Sequence, residues 1–350
     1  MQCADLALHD GKAPKWLFLR MKELAGAIAE LIIDDYGPGE FIKRLSSPFW
    51  FQAFACCLGF DWHSSGTTTT AVAALREGYK GNEIKVFGGK GKKANEIESF
   101  GKEYFYNDYK KICCLMHKGL IDGYNIYFSS IITTSEETGK EFVIINQGMN
   151  DHLLYARRYH FHSSFRFYED QENIAGYEGK ALNTISRKSN ELRKTMVDIV
   201  NDGLLPRMFK KQCKITDFSD KGEILIMPKR HYITNIDLSE RDIRIFEKIM
   251  DYKPKSYEEM LLFNGMGRKK IRALALIANL IYGEEIDWKD PVKYSFAHGG
   301  KDGIPFPVDK MIYDENIEIL KEAVEEAKIK EGIKIKALKS LAKFISDEQC

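Results

Sequence analysis

Proline is scarce in this 350-residue chain, at 9 residues, and the seven cysteines include no Cys-x-x-Cys spacing. Without paired thiolates at ligand spacing, neither a disulfide framework nor a thiolate zinc site is indicated, and a reducing cytosol fits best. Long apolar runs are missing too. The longest, Phe49 to Phe60, is broken by Gln52 and is too short for a membrane span, and Met1 to Asp10 carries no basic-then-apolar leader pattern. Charge of one sign is also lacking: 52 Lys and Arg face 51 Asp and Glu, for a formal net charge of +1. A chain so balanced has no global field to draw it to polyanions, so any nucleic-acid surface must be a local patch. No repeat of solenoid length is present. The expectation is a soluble cytoplasmic protein with no membrane partner.

What is present is a good core. Hydrophobic residues make up 44% and charged residues 29%, and the length accommodates more than one domain. After Pro14, the recurrence of Leu17, Met21, Leu24, Ile28 and Leu31 predicts an amphipathic helix that ends at Gly37-Pro38. Further helices are predicted over Thr67 to Glu77 and Asn95 to His117. From Asp122 the texture becomes β-branched and aromatic. Tyr124 to Phe128 and Phe142 to Ile145, separated by the polar turn Ser135 to Lys140, predict a β-hairpin, and Tyr155 to Tyr168 a further extended segment. Helices then dominate, over 184–201, 239–251, a close pair within 256–282, and one or two within 309–347. The chain thus divides into an α/β or α+β domain over 1–170, a helical region over 183–290, and a loop with helices over 291–350 that packs on the body.

The most specific string runs from Ser256 to Ala278. Ser256 and Glu259 form a capping box, Leu261 and Leu262 supply a buried face, and Gly265 and Gly267 flank Met266 in a sharp turn. Arg268, Lys269, Lys270 and Arg272 follow. This segment resembles the helix-hairpin-helix DNA-binding motif, which implies backbone amides and cations gripping phosphate with little sequence preference and marked salt sensitivity. A plain helical hairpin with solvated basic residues is the alternative. The segment is also similar to that of endonuclease-three-like glycosylases, in which a lysine two residues after the second glycine is followed at a spacing of eighteen by an aspartate. Lys269 and Asp287 match both conditions. The resemblance implies an amine attacking a sugar carbon with a carboxylate stabilising the sugar cation. The context Ile-Asp-Trp-Lys-Asp differs from that family's, and no cysteine set for an iron–sulfur cluster follows, so a phosphate-anchoring Lys269 is favoured.

A second resemblance covers nearly the whole chain. It is carried by Gly59-Phe-Asp61-Trp-His63-Ser64-Ser65-Gly66-Thr67, Gly88-Gly89-Lys90-Gly91-Lys92, Asp122-Gly123-Tyr124, Gln147-Gly148-Met149-Asn150, Ala156-Arg157-Arg158-Tyr159-His160 and Ser295 to Gly303. On these strings the chain resembles the uncharacterised, largely archaeal domain of unknown function 763 family. That family name conveys no reaction.

The same strings hold the candidate chemistry. Asp61 and His63, two apart, project from one face of an extended segment as base and orienter or as metal ligands. His160 and His162 share the spacing. Lys90 lies in a glycine-rich cationic loop with Lys92, without the spacing of a nucleotide-binding P-loop, and is a candidate Schiff-base nucleophile. Arg157 and Arg158, interleaved with rings, suit either base stacking with phosphate contacts or a buried aromatic core with a basic edge.

Taken together, these features predict a DNA-processing enzyme that excises a damaged base, with Asp61, His63 and Lys90 as the first catalytic set and Lys269 with Asp287 as the second. Gly265, Met266, Gly267, Arg268, Lys269, Lys270, Arg157, Arg158 and Lys92 are the predicted DNA contacts. Two alternatives stand beside it: an endonuclease whose divalent metal is held by Asp61, His63, His160 and Asp122, and a non-enzymatic DNA-binding protein. No iron–sulfur cluster or nucleotide cofactor is expected.

Overall fold

The computed structural model describes residues 6–7, 15–59, 65–94, 96–97, 106–135, 141–164, 168, 173–203 and 239–292, together with positions 325, 331, 334, 335 and 338. The chain forms two units. The first comprises Met1–Lys110, Gly123–Lys180 and Asp290–Cys350, and the second Lys111–Asp122 and Ala181–Lys289. The second unit is therefore discontinuous, and its short piece, 111–122, lies inside what a linear division assigns to the N-terminal domain.

In the first unit, α1 (Lys15–Tyr36) buries Met21, Leu24, Ala25, Ile28, Ala29 and Ile32, the stripe its periodicity predicts. It crosses α4 (Gly66–Gly78) where Gly26 meets Gly78. A Cβ on Gly26 would lie 2.5 Å from the Gly78 carbonyl oxygen, so any side chain there forces the helices apart. Between them run α2 (Pro38–Leu45) and α3 (Pro48–Cys57), each with proline in its first turn, where no amide partner is lost. All ten residues of α3 are buried. A helix wrapped on every side shows no amphipathic period, which is why its sequence reads only as an apolar run.

These helices cover one face of an antiparallel sheet. The strands are β1 (Leu6–Ala7), β2 (Ile84–Lys90), β4 (Asn125–Thr134), β5 (Phe142–Asn150), β6 (Tyr155–His162) and β7 (Ile174–Ala175). Their order is β1-β6-β5-β4-β2, with β7 also paired to β6. Antiparallel pairing throughout rules out βαβ crossovers here and makes the fold α+β. Phe128, Ile132, Val143 and Ile145 face the helices, whereas Ile131, Ile144, Tyr159 and Phe161 lie on the other face and are buried as well. The extended segment predicted to Tyr168 ends as a strand at His162.

The second unit is helical. Its members are α5 (Tyr106–Cys114), which enters it from the first unit, α6 (Asn190–Asn201), α7 (Glu240–Tyr252), α8 (Tyr257–Leu262) and α9 (Arg268–Tyr282). Of the helix predicted over Asn95 to His117, Glu96 and Ile97 are helical and Tyr106–Cys114 forms α5, which loosens into a π turn over Leu115–Gly119; positions 95 and 98–105 lie outside the described residues. A two-stranded sheet follows, β3 (Leu120–Ile121) with β8 (Leu182–Asn183). Thr184 Oγ1 donates to Gly119 O at 2.7 Å and shares a 2.5 Å hydrogen bond with Tyr257, while Arg193 donates to the carbonyls of Thr184 and Ser186. The first of these bonds satisfies the carbonyl that ends the irregular turn, and the last two satisfy carbonyls just after β8. Most of the helices predicted near the C-terminus, 309–347, lie outside the described residues.

Candidate functional site

One end of the helix-covered sheet face is polar. Register places Lys90 opposite Phe128, Phe128 opposite Gln147, and Gln147 opposite Arg158, so β2, β4, β5 and β6 contribute one continuous row. A bulge between Ile126 and Phe128 frees Tyr127 from the alternation, and its ring lies 5.5 Å from Lys90 Nζ. Gln147 Nε2 donates to the Tyr127 hydroxyl at 2.6 Å and to the carbonyl of Ser65, just before α4, at 2.8 Å. Burial pushes the Tyr127 phenol up to about 12 against that hydrogen bond. Arg158 ends the row inside the protein. Its guanidinium donates to Gln52 Oε1, Thr68 Oγ1 and the Pro48 carbonyl and lies over the Phe51 ring at 4.7 Å. Burial lowers its pKa to about 9.

The row thus runs from an exposed lysine to a buried arginine, beside the first turn of α4. Two of its atoms lack partners: Gln147 Oε1 and Thr67 Oγ1, both on residues with 0% exposure. Sequence reasoning missed Tyr127, Gln147 and Gln52 as site residues. The available signal was Gln52 alone in the apolar α3 run, and the polar pair Asn146-Gln147 directly after the apolar Phe142–Ile145 run of β5.

Other predicted residues fall elsewhere. Lys90 and Lys92 are exposed, Lys92 on a 3₁₀ turn after β2. Asp61 and His63 lie outside the described residues. Arg157 and Arg158 are both fully buried, which corrects the reading of them as a surface for phosphates. On a strand, neighbours point to opposite faces, and here both faces are covered. Arg157 makes a bidentate pair with Asp290 at 3.1 and 2.6 Å, donates to the Tyr177 carbonyl, and lies over the Tyr124 ring at 4.4 Å. The amides of Gly179 and Val292 also donate to Asp290, at 2.8 and 3.2 Å. Tyr124, Tyr177 with Gly179, and Asp290 each stand close to a point where the chain passes between units.

His160 turns inward, its Nδ1 2.8 Å from the Leu45 carbonyl and its ring edge-on to Phe51. Burial, then the Arg158 charge, holds its pKa well below the ordinary value despite that hydrogen bond. His162 bonds Ser164, and Asp122 belongs to the second unit, within 3.9 Å of Arg268. Of the predicted metal set, Asp61 and His63 lie outside the described residues, and His160 belongs to the first unit and Asp122 to the second. Among the described residues no group of three His, Cys, Asp or Glu side chains has metal-binding geometry.

In the second unit, α8 and α9 are joined through Phe263–Gly267. Gly265 has φ +92° and sits against Ile245, where a Cβ would come within 2.7 Å; Met266 plugs the core at 1% exposure. Gly267 starts α9 with no side-chain cap and open space where a Cβ would stand. Arg268 Nε donates to the His117 carbonyl. Lys270 is buried and pairs with Asp242 at 2.5 Å, which corrects its reading as a phosphate contact; Lys269 is half-exposed, 3.6 Å from the same carboxylate. Burial works against ionisation of Asp242, yet bonds from Lys270 and Ser239 outweigh it and hold the carboxyl below the usual range. Asp287 accepts from the Lys289 amide at 3.0 Å, while Lys269 turns to Asp242, so the second catalytic pairing is not formed.

An antiparallel α+β unit with a polar row at one sheet end, joined to a discontinuous helical unit, defines the class of protein. Over residues 2–308 the chain matches the family described as Protein of unknown function (DUF763), and it belongs to that family. No curated protein and no solved structure matches it. No helix among the described residues is long and apolar enough to cross a membrane.

Proposed function

We propose that this protein binds DNA through the α8–α9 turn, as a helix-hairpin-helix, and excises a damaged base with Lys90 as the attacking amine. The observation that carries the reading is the Gly265-Met266-Gly267 turn: a buried plug between two glycines presents the uncapped first turn of a 15-residue helix beside the half-exposed Lys269. The first amides of a helix have no acceptor within it, and the helix dipole favours an anion there. Since Arg268 and the buried Lys270 are turned to protein partners, the grip rests on the amides, with the half-exposed Lys269 beside them and itself 3.6 Å from Asp242, and the affinity falls steeply with salt.

Once a proton-handling group has taken a proton from the Lys90 ammonium, Nζ bonds C1′ while the glycosidic C–N bond breaks and its electron pair leaves on the base, which takes up that proton. Transfer of one amine proton to the ring oxygen as the C1′–O4′ bond breaks then leaves a protonated Schiff base between Lys90 and the deoxyribose. Asp61 and His63 remain the proposed proton-handling partners of this step.

Gly267→Asp tests the binding mode. Aspartate is a good N-cap and finds open space, so the variant keeps its fold while its carboxylate occupies the amides and repels phosphate. Fluorescence anisotropy at low salt should show duplex binding by the wild type and its loss in this variant; equal binding by both excludes the hairpin. Borohydride trapping on abasic DNA should yield a covalent adduct that Lys90→Met abolishes. Absence of an adduct on any lesion excludes the amine mechanism.

A further inference from the structure

We propose that the exposed cations Arg241, Arg244 and Lys248 of α7 form the main charged surface of the DNA interface, taking up successive backbone phosphates beside the α8–α9 turn. The inference rests on the hairpin reading above and names the side chains that supply its charge.

The hairpin itself is short of cations. Of its basic string, Arg268 is turned to the His117 carbonyl and Lys270 is buried against Asp242, which leaves the half-exposed Lys269, itself 3.6 Å from the same carboxylate. Asp242 belongs to α7, the helix that Phe246 and Ile249 anchor in the core. The hairpin meets α7 at three heights. Asp242 pairs with Lys269 and Lys270, Ile245 Cδ1 lies within 2.7 Å of where a Gly265 Cβ would stand, and the Tyr252 ring centroid is 5.3 Å from that of Phe263. Helical spacing of three and four residues sets Arg241, Ile245, Lys248 and Tyr252 in one row, with Arg244 next to it. The cations therefore border the turn along its length.

All three are exposed, and none forms an ion pair with a described residue. The acids of the helix lie off the row: Asp242 faces Lys270, Glu247 is on the opposite side, and Glu240 and Asp251 stand beyond Arg244 at the two ends. From Arg241 to Lys248 the helix rises about 10 Å, at roughly 1.5 Å per residue. One strand of duplex DNA presents about three phosphates over that axial length. Three cations thus face three anions, and the first amides of α9 lie beside them for the next.

The test compares the full-length wild type with Arg241→Gln/Arg244→Gln/Lys248→Gln. A control, Lys43→Gln/Lys80→Gln/Lys85→Gln, removes the same charge from exposed lysines of the first unit. Fluorescence anisotropy on a labelled duplex of arbitrary sequence is read over a range of salt. The α7 triple variant should flatten the slope of log affinity against log salt by about 2 to 3 and weaken low-salt binding by at least about tenfold, with the urea midpoint unchanged. Arg241→Lys/Arg244→Lys should keep the wild-type slope, because a phosphate row needs only the charges, and the control should keep it too. An unchanged slope in the α7 triple, or an equal flattening in the control, overturns the inference. So does displacement of the duplex by polyglutamate at equal charge concentration, which would mark an acidic protein as the occupant. Gly267→Asp judges the hairpin separately. Loss of binding in that variant beside an unaffected α7 triple leaves the hairpin standing and removes the α7 surface; wild-type binding by Gly267→Asp beside a flattened α7 triple does the reverse.

Discussion

Two short basic strings in this protein meet opposite fates. Arg157-Arg158 lies on a strand and both side chains are buried, one on each face of the sheet; Arg268-Lys269-Lys270 opens a helix and is split, with Lys269 half-exposed and Lys270 buried against Asp242. The local period decides the direction of each side chain. A strand sends neighbours 180° apart, and a helix spreads three successive residues over most of a turn. What lies in that direction decides the role. On β6 each direction leads to protein, so the cations become internal ties; on α9 one direction leads to solvent.

The comparison breaks first at Arg157. Arg157→Ala leaves the Asp290 carboxylate buried and unpaired and should cost about 3–5 kcal/mol in urea unfolding, and the double variant with Asp290→Ala should cost less than the sum of the two singles. A loss under about 1 kcal/mol would mean the pair is not formed. In the turn before α9, Gly265→Ala should cost about 1–3 kcal/mol, since φ +92° and the Ile245 contact both oppose a side chain, whereas Gly267→Ala should be nearly neutral. Equal effects would place the two glycines in the same environment. Within the α9 string, Lys270→Met should destabilise by about 1–2 kcal/mol and Lys269→Met by under about 0.5 kcal/mol. Under the proposed DNA grip the ranking reverses: Lys269→Met should lower the salt-dependence slope by about 1, and Lys270→Met should leave it unchanged.

A pH dependence is carried by both units. His160 is held neutral by burial and by Arg158, and His117 is pushed down to about 3 by burial and by Arg268. Each binds a proton in the unfolded chain near pH 6.5 but not in the folded one. Stability is therefore full above that pH and falls as pH drops through it, the His117 share levelling off near pH 3. Between pH 7 and 6 each histidine should remove about 0.7 kcal/mol. His160→Asn should flatten its share of that slope in urea titrations across this range; an unchanged slope would mean that His160 charges in the folded protein.

Much of the scaffold was legible. The Leu and Ile spacing of α1 marked its buried stripe, and two β-branched runs around a polar turn marked β4 and β5. Helix α3 was not, because a segment buried all round has no period to read. The site was legible only in fragments. Lys90 and Thr67 stood in glycine- and threonine-rich strings, yet nothing local says that Gln147 shares a row with Lys90, since that depends on pairing across two strand junctions and a bulge at Tyr127. Nor does the string before α9 reveal that Asp242, from another helix, neutralises its neighbours.

Composition, charge balance and the positions of turns and apolar periods were fixed by the order of residues alone, because they express preferences acting over a few residues. Which cations became interior ties, which polar atoms were left without partners, and that residues 111–122 join a unit some seventy positions further on were decided by tertiary structure. Burial and pairing depend on the element lying opposite, and contacts between segments distant in the chain settle that.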